Sequence, residues 1–133
     1  MKKDRTGREK AMVAAATMAA HYVAAAVKAG MDKGEIGAAL ADVVRTSGLS
    51  EIWVTDEHGR IVFGSAAMDF VFPGDPAAGT QAAPFAALLR GTETVVSQAP
   101  QPREIDGAVF QYVGVAGVDR PRIVQVGLAA RGS

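Results

Sequence analysis

The sequence contains no cysteine. That absence excludes a disulfide framework, thiolate metal ligands, a cysteine nucleophile and the cysteinyl-flavin chemistry of some light sensors, while leaving the redox compartment open. Net charge is also missing: fourteen basic residues balance fourteen acidic ones, and the one dense charged cluster, at the N-terminal tip, mixes both signs. Such a balance speaks against a nucleic-acid or polyanion partner. Histidine is scarce. His21 lies in an alanine-rich run and His58 in a turn, and neither has companions at metal-ligand spacing. No serine stands in nucleophile-elbow context, and Gly74 to Gly79 lacks the lysine and glycine spacing of a phosphate loop. The residues thus lead to no expectation of catalysis: no catalytic side chain, no metal site and no cofactor.

What remains is a chain of 133 residues, 49% hydrophobic, enough for one domain around one core. Its clearest unit is Glu51 to Ser65. Ile52, Trp53 and Val54 precede the turn formers Asp56 to Gly59, and Ile61, Val62 and Phe63 follow, which predicts a hairpin. Asp56 can bond its own backbone across the turn, and Gly59 can take the positive φ that closes it. Apolar residues come in rows on both strands, so both are expected to be buried on two faces.

Upstream, Ala11 to Val27 is uncharged, but nine of its residues are alanine and Thr17, His21 and Tyr22 interrupt it. It sits at the short limit of a membrane span, and Asp4 and Glu9 dilute the charge of a signal n-region, so one long soluble helix is the expectation. Val13, Ala16, Ala20, Val23 and Val27 form one apolar stripe, and Met12, Ala15, Ala19, Tyr22 and Ala26 run beside it. Two stripes exceed what one sheet face needs, which suggests a homodimer through this helix; alternatively alanine simply fills a surface helix. Asp32 with Glu35 predicts a capping box for a second helix bearing Ile36, Ala39, Leu40, Val43 and Val44, ended by Ser47 and Gly48.

Beyond the hairpin, Ala66 to Gln81 is rich in proline and glycine, excluding a continuous helix or central strand. A short helix carrying Phe85, Leu88 and Leu89 follows and stops at Gly91. Three strands are then expected, Thr92 to Gln98, Ala108 to Val115 and Arg122 to Leu128, with Pro100, Gln101 and Pro102 as a break and Asp106-Gly107 as a turn. Short joins make these antiparallel, giving an α+β domain with one five-stranded sheet.

The motif IWVTDEHGRIVF, within Glu51 to Ser65, with Phe110, Gln111 and Tyr112 after the Asp106-Gly107 turn, and IVQVG at Ile123 to Gly127, resembles the single-module Cache sensor domains, relatives of the PAS domains. The long first helix is similar to that family's stalk helix. The resemblance implies a five-stranded antiparallel sheet with the long helix and the second helix on one face, and on the other a small-molecule pocket roofed by Ala66 to Gly91. It divides the single domain 1–133 into a stalk-like helix, 1–30, and a sheet and pocket unit, 31–128. It also implies an extracytoplasmic, periplasmic module of a bacterial signalling receptor, such as a chemoreceptor or histidine kinase, with the effector domain outside this chain.

Candidate ligand residues follow from side-chain chemistry. Phe70, Phe72 and Phe85 sit where a loop can cover apolar space, and Phe110 and Tyr112 share one face of their strand and could form the floor. Arg103 could offer a fork to a ligand carboxylate, and Gln125 stands mid-strand among valines. Each has a plainer reading: the phenylalanines as core, Arg103 as a solvated loop residue, Gln125 as a satisfied edge group, and Trp53 as sheet packing. The expected function is sensing of a small ligand, with a carboxylate or amino acid as the guess. A structural dimerisation module with a filled pocket is the alternative, and a cofactor-bearing PAS domain a third.

Overall fold

Two capping boxes open the fold. In the computed structural model, which describes residues 5–130, the Thr6 hydroxyl accepts from the Glu9 amide at 3.0 Å and the Asp32 carboxylate from the Glu35 amide at 2.8 Å. Each satisfies an amide that a helix start leaves unpaired. They begin α1 (Gly7–Lys28) and α2 (Lys33–Ser47). Left-handed Gly48 (φ 81°) terminates α2 and turns the chain directly into the sheet.

Strands β1 (Glu51–Thr55) and β2 (Ile61–Gly64) form the expected hairpin. Asp56 Oδ1 accepts from the amides of His58 (2.8 Å) and Arg60 (3.0 Å), and Gly59 takes φ 82°. An irregular segment leads to a 3₁₀ turn (Ala83–Phe85) and α3 (Ala86–Arg90), stopped by left-handed Gly91. Then come β3 (Val95–Ser97), β4 (Gln101–Pro102), β5 (Val109–Ala116) and β6 (Ile123–Ala129). Every pairing is antiparallel, in the order β2-β1-β6-β5-β3, with β4 also on β5.

The sheet differs from expectation in two ways. It has six strands, because Gln101 and Pro102 pair with Phe110 and Val109 along the edge of β5 already used by β3; proline is tolerated there, where one side of the strand has no ladder to complete. And β2 is half-buried, since it is the sheet's other edge; only β1 of the hairpin is buried.

Strand alternation splits the sheet into two unlike faces. Ile52, Val54, Val113, Val115, Val124 and Val126 meet Met12, Ala16, Ala20 and Val23 of α1 and Ile36 and Leu40 of α2 in one core. Alanines along α1 let its backbone lie close to the valine surface. Both apolar stripes of α1 are taken up here: Ala19 and Ala26 are buried, and Val13, Ala15, Tyr22 and Val27 pack partly against the same core. Both stripes therefore face the sheet and α2, and the outer face of α1 carries Ala11, Ala14, Thr17, Met18, His21 and Ala25. By length and composition alone, α1 is also long and apolar enough to cross a membrane. The opposite sheet face carries a second, smaller core of Phe72, Phe85, Leu88, Phe110, Tyr112 and Ile123.

Candidate ligand-binding site

Two rows of paired residues cross that second face. In one, Gly64, Trp53, Gln125 and Gly114 stand side by side on β2, β1, β6 and β5; in the next, Glu51, Gly127 and Tyr112 stand on β1, β6 and β5. Three large rings in or above these rows lie on glycines. A Cβ at Gly64 would sit 2.6 Å from the Trp53 indole, one at Gly127 2.6 Å from the Tyr112 ring, and one at Gly114 2.8 Å from the Phe85 ring. Any other residue would force those rings upright. With glycine they lie flat, and space remains above the sheet.

That space is a cleft of about 400 Å³ between the sheet and the irregular segment, a volume within the usual range for small-molecule sites. Trp53, Gln125, Tyr112 and Glu51 contribute from the sheet, and Met68, Phe70, Phe72, Gln81 and Phe85 from the cover. Rings in the cover meet edge to face: Phe70 with Phe72 at 5.1 Å, and Phe72 with Phe85 at 6.1 Å between centroids. Phe72 and Phe85 are buried, whereas Phe70 is 40% exposed. The segment is pinned to the hairpin, where the Ile61 amide donates to Phe70 O at 3.0 Å and the Phe72 amide to Gly59 O at 2.8 Å.

One end of the cleft is charged. Tyr112 donates its hydroxyl to Glu51 Oε1 at 2.5 Å, and Arg103 Nη1 donates to Glu51 Oε2 at 3.3 Å. The rest of the Arg103 fork is held by Asp106, through Nε to Oδ1 at 3.1 Å and Nη2 to Oδ2, and its guanidinium lies 3.8 Å over the Phe110 ring. The hydrogen bonds that Arg103 donates to Asp106 push the Arg103 pKa still higher, and Arg103 with the Ala108 amide pulls the Asp106 carboxyl below its ordinary range. Burial, then the Glu51 carboxylate, pushes the Tyr112 phenol well above the usual tyrosine range.

The cleft also holds three glutamines. Gln125 is only 5% exposed, and its carboxamide has no hydrogen bond to any described residue. Gln98 Nε2 donates to Gln81 O at 2.7 Å, but Gln98 Oε1 and Gln81 Nε2 are buried without a partner among the described residues. These last two buried groups are costly unless something else satisfies them.

Six of the seven expected residues, Phe70, Phe72, Phe85, Arg103, Tyr112 and Gln125, line the cleft. Phe110 does not. It shares the face, yet it lies behind Tyr112, stacked on that ring at 5.8 Å, with Arg103 closing it from above. Arg103 is neither a solvated loop side chain nor a free fork: it is 21% exposed and its donors face Asp106 and Glu51. Trp53 does more than pack the sheet, since it lines the cleft. Sequence reasoning missed Glu51, Gln81 and Gln98. For Arg103 a signal existed, because Asp106 follows it by three residues across a turn. No family model matches this chain, and no curated protein matches it in sequence.

Proposed function

We propose that this chain is a small-molecule-sensing module of the PAS/Cache type, acting within or beside a bacterial signalling receptor. The observation that carries the reading is the cleft of about 400 Å³ into which Gln125, almost wholly buried, presents an unpartnered carboxamide. A purely structural module would gain stability by filling that volume with side chains and placing an apolar residue at 125. The division of the sheet, helices on one face and a covered cleft on the other, is the arrangement that the Cache resemblance implies. A periplasmic placement rests on the same resemblance, with α1 as an apolar helix compatible with it.

The mechanism is a population shift. A ligand binding one arrangement of the cover better than another moves the equilibrium by its differential affinity and no more. A route to α1 runs through neighbouring residues at the end of β3, where Gln98 faces the cleft and Ser97 donates its hydroxyl to Glu9 Oε2 at 2.8 Å. Glu9 also completes the capping box of α1. A change felt at Gln98 is thereby passed to the helix start, and a homodimer would read it through the outer face of α1. The effector is a separate domain or chain.

The test is hydrogen exchange of the first turn of α1 with and without a ligand found by thermal-shift screening. A ligand at a hundred times its dissociation constant raises stability by about 2.7 kcal/mol. Ligand-dependent protection at α1, lost in Ser97→Ala, is the expected result. A screen silent across amino acids, carboxylates, amines and nucleobases would sink the sensing function.

A further inference from the structure

Resting on the sensing function proposed above, the geometry points to a ligand class: an uncharged, planar heterocycle whose edge carries hydrogen-bond donors and acceptors together, of the nucleobase or lactam kind. Three features lead there.

First, the cleft leaves little for an anion. Its one guanidinium, Arg103, touches two carboxylates, Glu51 and Asp106, and a third acid, Glu104, lines the cleft as well. An anionic ligand would have to displace Asp106 from the fork or lie beside uncompensated acids, and like charge at this distance is unfavourable.

Second, the unpartnered groups are amides. Gln125, on the cleft wall, offers both a donor and an acceptor, Gln81 Nε2 is an unused donor, and Gln98 Oε1 is an unused acceptor. A primary carboxamide pairs best with a group that accepts and donates side by side, as glutamine does on the edge of adenine. An ammonium would satisfy the acceptors and leave the donors bare; a carboxylate would do the reverse.

Third, the walls suit a flat molecule. Trp53 and Tyr112 are laid down on the sheet by Gly64 and Gly127, and Phe70 and Phe72 stand across from them in the cover. Aromatic side chains on both the sheet and the cover side of the cleft favour a ring that stacks, and every heteroaromatic base has such a face.

The experiment is isothermal titration of the full chain with three separate sets: adenine, hypoxanthine, uracil and nicotinamide; acetate, pyruvate and succinate; choline and putrescine. At least one neutral heterocycle is expected to bind, with affinity falling about tenfold or more in Gln125→Leu, which keeps the volume and removes the amide. Circular dichroism and thermal melting show whether that variant remains folded, and Gln98→Leu serves as a second readout on the cover side. Binding by carboxylates or amines alone would overturn the ligand class while leaving sensing intact. Binding of a heterocycle unchanged by both leucine variants would overturn the role of the amides. No binding in any set would overturn the ligand class and the sensing function together.

Discussion

Tyr112 reaches Glu51 across an empty position. The two stand on β5 and β1 with Gly127 of β6 between them, about 10 Å apart as two strand spacings. Because Gly127 has no side chain, the tyrosine ring lies over it and the hydroxyl meets the carboxylate at 2.5 Å. The contact ties three strands together on the cleft side.

Removing the hydroxyl by Tyr112→Phe is expected to cost about 1–3 kcal/mol, the range for a part-buried hydrogen bond to a charged group, read by denaturant melts. The folded state holds the phenol proton more tightly than the unfolded chain does. The contribution is thus complete below the ordinary tyrosine range near about pH 10 and fades as pH rises through the higher folded value. Tyrosinate absorbance supplies the check: the wild type minus Tyr112→Phe difference should stay flat through about pH 10, and a normal titration step there would refute the buried contact.

Gly64→Ala places a methyl group 2.6 Å from the Trp53 indole. The ring must tip into the cleft, at a cost of about 1–3 kcal/mol for overpacking. Trp53 is the single tryptophan, so its emission reports the movement directly. Unchanged emission with unchanged stability would mean that the ring does not lie on Gly64.

Asp119 and Arg122 form a second charged contact, outside the cleft. Arg122, 3% exposed, donates Nε and Nη2 to the Asp119 carboxylate at 3.1 and 2.9 Å and Nη1 to Thr55 O at 3.1 Å, latching the β5–β6 connection to the hairpin. The Arg122 hydrogen bonds hold the Asp119 carboxyl below its ordinary range. A depressed folded value means stability that is present above the unfolded carboxyl range and lost as pH falls through the folded one. Asp119→Asn should lower stability at neutral pH by about 2–3 kcal/mol, as for hydrogen bonds to a charged partner. The gap between wild type and variant should close below about pH 4. A gap independent of pH would show that the carboxylate charge is not what counts.

Asp106→Asn releases the Arg103 fork. The variant should acquire or strengthen binding of small carboxylates such as succinate, measured by titration at low and high salt, because a bidentate site for them then exists. Carboxylate affinity equal in both proteins would contradict the engagement of Arg103 by Asp106.

The sequence made some of this legible and hid the rest for definable reasons. The Asp56-Gly59 turn, the Asp32-Glu35 box and the alternation of Phe110, Tyr112 and Val113 are local, and local chemistry decided them. The proline and glycine density likewise pointed to an irregular cover, and Phe70, Phe72 and Phe85 line the cleft beneath it. Glu51, by contrast, reads as a charged strand end; its role depends on β6 lying beside β1 and on the register that sets Gly127 opposite. Gln81 and Gln98 are seventeen residues apart in segments without periodicity, and only the folded chain brings them together. Phe110 shows the limit of face reasoning: alternation put it on the proper side of the sheet, but position along the strand placed it under Arg103.

The glycines have a lasting consequence for what this site can become. At 64, 114 and 127 the smallest side chain is already in use, so every point change there drives a ring into the cleft. The sheet side can be closed by one substitution and widened by none at those positions. Any enlargement of the cleft must arise in the cover, where Met68 and Phe70 are both exposed. The floor of the cleft is thus fixed, and only its roof is free to change.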